Sequence, residues 1–234
     1  MPVPASVTLP EDYQVPADYQ VSNGHNGADG TFIQPCTTLL TTIPDFNTSL
    51  DERYLVTSPY TTQDHLLDLD TLNCSQRLLA VALASLQCTR PDYATAPYNV
   101  SFNWDTVIST LKHSTAHQGH HWQREHFYIV VFRSQVPPST SRTELGRLDE
   151  RSHTEANQSG GLLKYWFGVP DGKGRNLATC IWRFQSDARP GSVGAGHKAA
   201  ARATRDLYTE WHIERLRLVV EAGVNGWSIE EWTD

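Results

Sequence analysis

The sequence predicts an α+β domain whose elements run β-α-β-β-α-β plus one more strand. Its helices lie on one face of an antiparallel sheet, and extra helices precede it. Three observations predict this. After residue 127, runs of β-branched and aromatic residues alternate with runs of helical spacing. The strand runs FYIVVFRS and LLKYWFGV are apolar at odd and even positions alike, as in a sheet covered on both faces. No Gly/Ser-rich or Pro-rich linker divides the chain after residue 50, so 51–234 reads as a single α+β domain.

Residues 1–50 are rich in Pro, Thr, Asn, Gly and Asp, and VSNGHNGADG has turn signals without periodicity. This stretch is expected to be a flexible N-terminal arm. A helix follows over 70–86: Asn73 and Gln76 form a capping-box pattern, and Leu79, Leu83 and Leu86 share one face. Arg90-Pro91 closes it. A second helix starts near Asn103 and carries Trp104, Val107, Ile108 and Leu111.

The first strand of the repeat is 127–134, stopped by Pro137-Pro138. A helix over 141–157 places Leu145, Leu148, Ser152 and Ala156 on one face, and Ser159-Gly160-Gly161 ends it. Strands 162–169 and 176–184 flank the loop PDGKGR as a hairpin. A Gly-rich loop then leads to a helix over 196–211 with Ala200, Ala203, Leu207 and Trp211 as its apolar stripe. Strands 213–221 and 227–232 complete the order, which is that of a ferredoxin-like sandwich. The second sheet face is to be covered either by the N-terminal helices or by a second subunit.

Composition excludes several function classes. Lys plus Arg is 19 against 26 for Asp plus Glu, a net charge of −7, so the basic face of a nucleic-acid binder is missing. No apolar run reaches the ~18 residues of a membrane span. The start MPVPASVTLPEDYQ lacks the basic and apolar regions of a secretory signal. Cys36, Cys74, Cys88 and Cys180 form no CxxC pair and read as reduced thiols of a cytoplasmic protein. No complete catalytic, metal or cofactor motif is present, so neither cofactor nor metal is expected.

Several side chains carry candidate chemistry. Asp149 and His153 stand four apart on one helix face, where a carboxylate raises imidazole basicity; a plain surface pair is the alternative. His197 and Tyr208 stand eleven apart on the last long helix, about 16 Å along its axis. They flank the small residues Ala201 and Thr204, which leave room for a ligand or permit close packing. The loop Arg189–Lys198 offers backbone N–H groups to an anion. It departs from a P-loop at His197, and from the acetyl-CoA loop of N-acyltransferases at Gly191. His113, His117, His120, His121 and His126 include i, i+4 pairs, but Gln118-Gly119 breaks the helix beneath them. Seven Trp is a high count, and Tyr165, Trp166, Trp182 and Trp211 are expected to wall an apolar pocket, with Arg183 beside them.

The strings FYIVVFRS, SGGLLKYWFG, GRNLATCIWRF, GHKAAARATRDLYTEW and IERLRLVVE resemble a family of uncharacterised ascomycete proteins. With ATAPYNVSFNWDTVI, the resemblance spans roughly residues 65–234. The strand followed by a His-containing helix is also similar to the dimeric α+β barrels, which include cofactor-free monooxygenases and dehydratases. The ascomycete resemblance further implies a natural-product setting related to a sordaricin-type, norbornene-forming Diels–Alderase.

The expected function is therefore a cofactor-independent enzyme of fungal secondary metabolism that binds a hydrophobic small molecule. A cyclase or pericyclase fits best, because cycloaddition needs a shaped pocket and a polarising hydrogen bond rather than a nucleophile. His153, His197, Tyr208 and Asp149 are its candidate catalytic groups. An acyl-CoA-dependent transferase and a non-catalytic, self-associating binder are the alternatives. Expected partners are the small molecule and a second copy in a homodimer.

Overall fold

The computed structural model describes residues 53–233; the arm expected over 1–50 lies outside them. A short antiparallel pair, β1 (Tyr54–Leu55) and β2 (Leu67–Asp68), precedes helices α1 (Cys74–Leu83) and α2 (Trp104–His117). Then come β3 (Glu125–Gln135), α3 (Arg142–Ser159), β4 (Leu162–Phe167) and β5 (Arg175–Trp182). The chain continues through α4 (Gln185–Gly191), α5 (Ala195–Leu207), β6 (Glu210–Val220) and β7 (Trp227–Glu231). The main sheet has the order β4-β5-β3-β6-β7, antiparallel throughout. Its first four strands have ferredoxin-like order, and β7 extends the β6 edge.

Local chemistry starts the helices where the sequence indicates. The Asn73 side chain accepts the Gln76 N–H at 2.9 Å, and Gln76 Oε1 accepts the Asn73 N–H at 3.2 Å. This cap starts α1 at Cys74; such caps contribute about 1 kcal/mol. Ser141 caps α3 by accepting the Glu144 N–H. That helix ends at Gly160 and Gly161, whose φ values of +83° and +78° lie in the region only glycine enters freely.

Parity along β3 sorts the two cores. Phe127, Ile129 and Val131 point to the face that α1 and α2 cover. Leu78 to Leu83 are all buried in α1, so that helix is apolar all round. Tyr128, Val130 and Phe132 point to the opposite face, beneath α3, α4 and α5. Of the two coverings the sequence allows, the chain's own N-terminal helices provide the first. The sheet-to-sheet contact of a dimeric barrel is incompatible with that arrangement.

Three expectations are corrected. The last long helix ends at Leu207 rather than 211. From Thr209, whose N–H donates to the Gln135 carbonyl, the backbone joins β3 in register from Gln135↔Glu210 to Glu125↔Val220. That ladder outweighs the helical spacing of Trp211. The segment expected as a Gly-rich loop is helical in its first part, where 189–191 belong to α4, and only 192–194 remain a turn between α4 and α5. Finally, Cys74 and Cys180 are free, but Cys88 is disulfide-bonded, contrary to the expectation of reduced thiols. Sequence spacing carries no information on pairs that the fold brings together.

Candidate active site

Between the sheet and the layer of α3, α4 and α5 lies a cavity of about 530 Å³. Small residues make it: Ala156, Ala178, Ala188, Ala200 and Ala201 stand where larger side chains would fill the gap. Its floor includes the cross-strand row Tyr165–Cys180–Val130–Arg215. Tyr165 and Arg215 are three strand spacings apart along this row, about 14 Å. Burial pushes the Cys180 thiol up, so this sulfur is an apolar wall and not a nucleophile.

At the β4 end, α3 presents Asp149 and His153. The Asp149 carboxyl accepts hydrogen bonds from Tyr60 Oη and Tyr165 Oη, each at 2.5 Å. Burial raises its pKa to about 7 against the opposing effect of the two tyrosines. His153 Nδ1 faces His65 Nδ1 at 2.6 Å, while His153 Nε2 is buried without a partner among the described residues. Burial, with the neighbouring His65, lowers the His153 pKa to about 3. Burial lowers that of His65 as well. The expected support of His153 by Asp149 is therefore corrected. Though one turn apart, the two groups have separate partners, and desolvation makes His153 less basic rather than more.

His197 reaches the cavity from α5. Its Nδ1 lies 3.2 Å from Glu155 Oε2, and Glu155 also accepts the backbone N–H groups of Gly196 and His197 at 2.6 and 3.0 Å. Burial lowers the His197 pKa against the pull of Glu155. The N–H groups offered to an anion are thus occupied by an internal carboxylate. A Cβ on Gly194 would stand 2.2 Å from Glu155 Oε2, so glycine is what lets that carboxylate in.

Of the residues singled out in the sequence, Asp149, His153, His197, Tyr165 and Trp182 line this one cavity. Four others do not. Trp166 points to the opposite face and meets Phe102 and Tyr93 edge-on, at 4.9 and 5.4 Å between ring centres. Trp211 lies on β6 opposite Ser134. Tyr208 is buried with Val136 and Leu145. Arg183 is held by Asp187 at 3.0 Å and by the Thr71 carbonyl. Nor do the clustered histidines converge: His120 meets Ser75, His121 meets Gln123, and His126 meets the Trp232 ring. Sequence reasoning missed Tyr60 and His65. Both come from the connection between β1 and β2, which has no periodicity to assign it a face.

Comparison with known proteins gives the following. The UPF0643 protein PB2B2.08 of Schizosaccharomyces pombe is 36% identical over 187 residues, covering 76% of this chain and 85% of that one. Rv0793 from Mycobacterium tuberculosis aligns with 38% of this chain and 92% of its own, at 15% identity and a TM-score of 0.35. SnoaB, a cofactor-independent oxygenase from Streptomyces nogalater, aligns with 38% of this chain and 90% of its own, at 16% identity and a TM-score of 0.31. The fold assignment rests on the strand register above. The PB2B2.08-like family model matches residues 56–231, and the chain belongs to that family.

Proposed function

We propose that the protein is a cofactor-independent enzyme that binds an apolar small molecule in the cavity between its sheet and α3–α5, and that the reaction is a cyclisation. The observation that carries this reading is the cavity itself. It is of the size of a drug-like ligand, apolar along most of its wall, and holds buried titratable groups at one end. The thiol in its wall is held protonated, so covalent catalysis through it has no support. What remains is positioning plus hydrogen bonding, which suffices for a Diels–Alderase-type cycloaddition. Asp149, with a pKa near neutrality, and His153 supply the polar contacts. At the far end Arg215 makes no ion pair among the described residues, whereas Arg133, Arg175 and Arg217 hold Glu214, Asp171 and Glu230. That guanidinium suits an acidic group on the ligand.

A second reading is binding without catalysis. It is favoured by the two tyrosines that already satisfy the Asp149 carboxyl. The test is to incubate the protein with synthetic acyclic substrates that hold a conjugated diene and a dienophile, and to follow loss of diene absorbance. Wild type is expected to accelerate closure to a product of unchanged mass, and Ala201→Trp, which fills the cavity, is not. Saturable binding of Nile red by wild type, without acceleration, would favour the second reading. No saturable binding would overturn both.

A further inference from the structure

We infer that the ligand is an apolar carboxylic acid, and that Arg215 selects it by pairing with its carboxylate at the β6 side of the cavity. This rests on the cavity reading and deepens it by naming the substrate class.

The sign of the charge is the first observation. The chain carries −7 overall, yet the cavity lining is positive. Its two guanidiniums, Arg189 on α4 and Arg215 on β6, come from opposite layers. Asp149 is the only acidic side chain of the lining among the described residues, and burial pushes its pKa up to about 7. Even fully ionised, it offsets one of the two. His153 and His197 are neutral at neutral pH, because burial lowers both. An apolar cavity with this balance favours an anion over a neutral or cationic guest.

The position of Arg215 is the second. Register puts it on the cavity face opposite Val130, with Cys180 and Tyr165 further along the row. Two positions on, Arg217 is drawn the other way, to Glu230 on β7 at 2.8 Å. Glu214, next to Arg215 in the chain, lies opposite Val131 on the other face and holds Arg133. Of the four arginines on the strands of the main sheet, Arg215 alone holds no carboxylate among the described residues. It is exposed and also lines the cavity, so it stands at the rim, where an entering group meets it. Arg189 differs, since it donates to Gln185 Oε1 at 3.0 Å. A guanidinium takes a carboxylate through two parallel N–H···O bonds, which an alcohol cannot match. From that anchor an apolar body runs along Val130 and Cys180 toward Tyr165, about 14 Å away. Pinning one end of a flexible chain removes freedom that a cyclisation otherwise has to lose.

The experiment is titration calorimetry of the full chain with three probes of one shape: 6-phenylhexanoate, 6-phenylhexan-1-ol and 6-phenylhexylammonium. At neutral pH the acid is expected to bind about tenfold more tightly than the alcohol, and the ammonium most weakly. Added salt should weaken the acid and leave the alcohol unchanged. Arg215→Gln should bring the acid to the affinity of the alcohol without moving the alcohol, and Arg215→Lys should keep part of the preference. Ala201→Trp should abolish binding of all three, which separates a ligand inside the cavity from an ion pair on the surface. Equal binding of acid and alcohol, an acid preference that survives Arg215→Gln, or acid binding that survives Ala201→Trp overturns the inference. So does no binding of the acid by wild type. In each case saturable Nile red binding by wild type leaves the cavity reading standing, and its absence overturns that reading as well.

Discussion

His65 Nδ1 and His153 Nδ1 lie 2.6 Å apart although 88 positions separate them in the chain. Both rings are buried, at 2% and 4% exposure, and Tyr60 stacks on His65 with ring centres 4.7 Å apart. The segment between β1 and β2 thus packs against the Asp149 and His153 side chains of α3. Asn157 fixes it there by donating to the carbonyls of Asp64 and Leu66.

Stability should respond to pH through opposed groups, buried histidines against Asp149. His153 is depressed to about 3, so below the usual histidine range of about 6.5 the unfolded chain takes up a proton the native state refuses. Its effect makes stability rise with pH between those values, by about 1.4 kcal/mol per unit. Asp149 is raised to about 7, so the native state holds a proton the unfolded chain has lost, and stability falls as pH rises from about 4 to 7. In urea denaturation of wild type, Asp149 should therefore offset part of the rise that His153, His65 and His197, all depressed by burial, give between pH 4 and 6.5. Asp149→Asn should expose the rising limb. A falling limb in that variant would contradict the assignment.

Removing one tyrosine from Asp149 should cost more than an exposed hydroxyl does. Tyr60→Phe and Tyr165→Phe are each expected to lose about 1–3 kcal/mol in denaturant titrations, because each strips a donor from a buried carboxyl. Each should also raise the Asp149 pKa further. The double variant should depart from additivity, since both donors serve one group.

Glu155 should act as a side-chain cap for α5. Glu155→Ala is expected to lower stability by about 1–2 kcal/mol and to depress the His197 pKa further, read from its ¹H chemical shift against pH. The same occupancy predicts that millimolar acetyl-CoA leaves the melting temperature of wild type unchanged. A clear upward shift would revive the transferase reading.

The two tryptophans on adjacent strands should separate cleanly. Trp166→Phe and Trp182→Phe are each expected to cost about 1–3 kcal/mol. Only Trp182→Phe should change Nile red affinity, because only that ring lines the cavity. An effect of Trp166→Phe on binding would place the ligand on the wrong face.

The β-α-β-β-α-β order, the Asn73–Gln76 cap, the Gly160-Gly161 stop and the approximate positions of the main-sheet strands were legible in the sequence, because each depends on contacts within a few residues. The pairing of Asp149 and His153 with one cavity was legible from α3 alone, since i, i+4 spacing fixes a shared face. Their partners were not. Trp166 and Trp182 look equivalent in sequence, and strand parity and register alone send them to opposite faces.

By itself, then, the chain determined a two-faced antiparallel sheet with helices before and between its strands, because local propensity and periodicity act over short spans. Tertiary structure alone decided that α1 and α2 cover one face, that Glu155 fills the anion position, and that Tyr60 and His65 complete the site. These outcomes depend on which distant surfaces meet when apolar area is buried. A non-periodic segment carries no record of where it will dock.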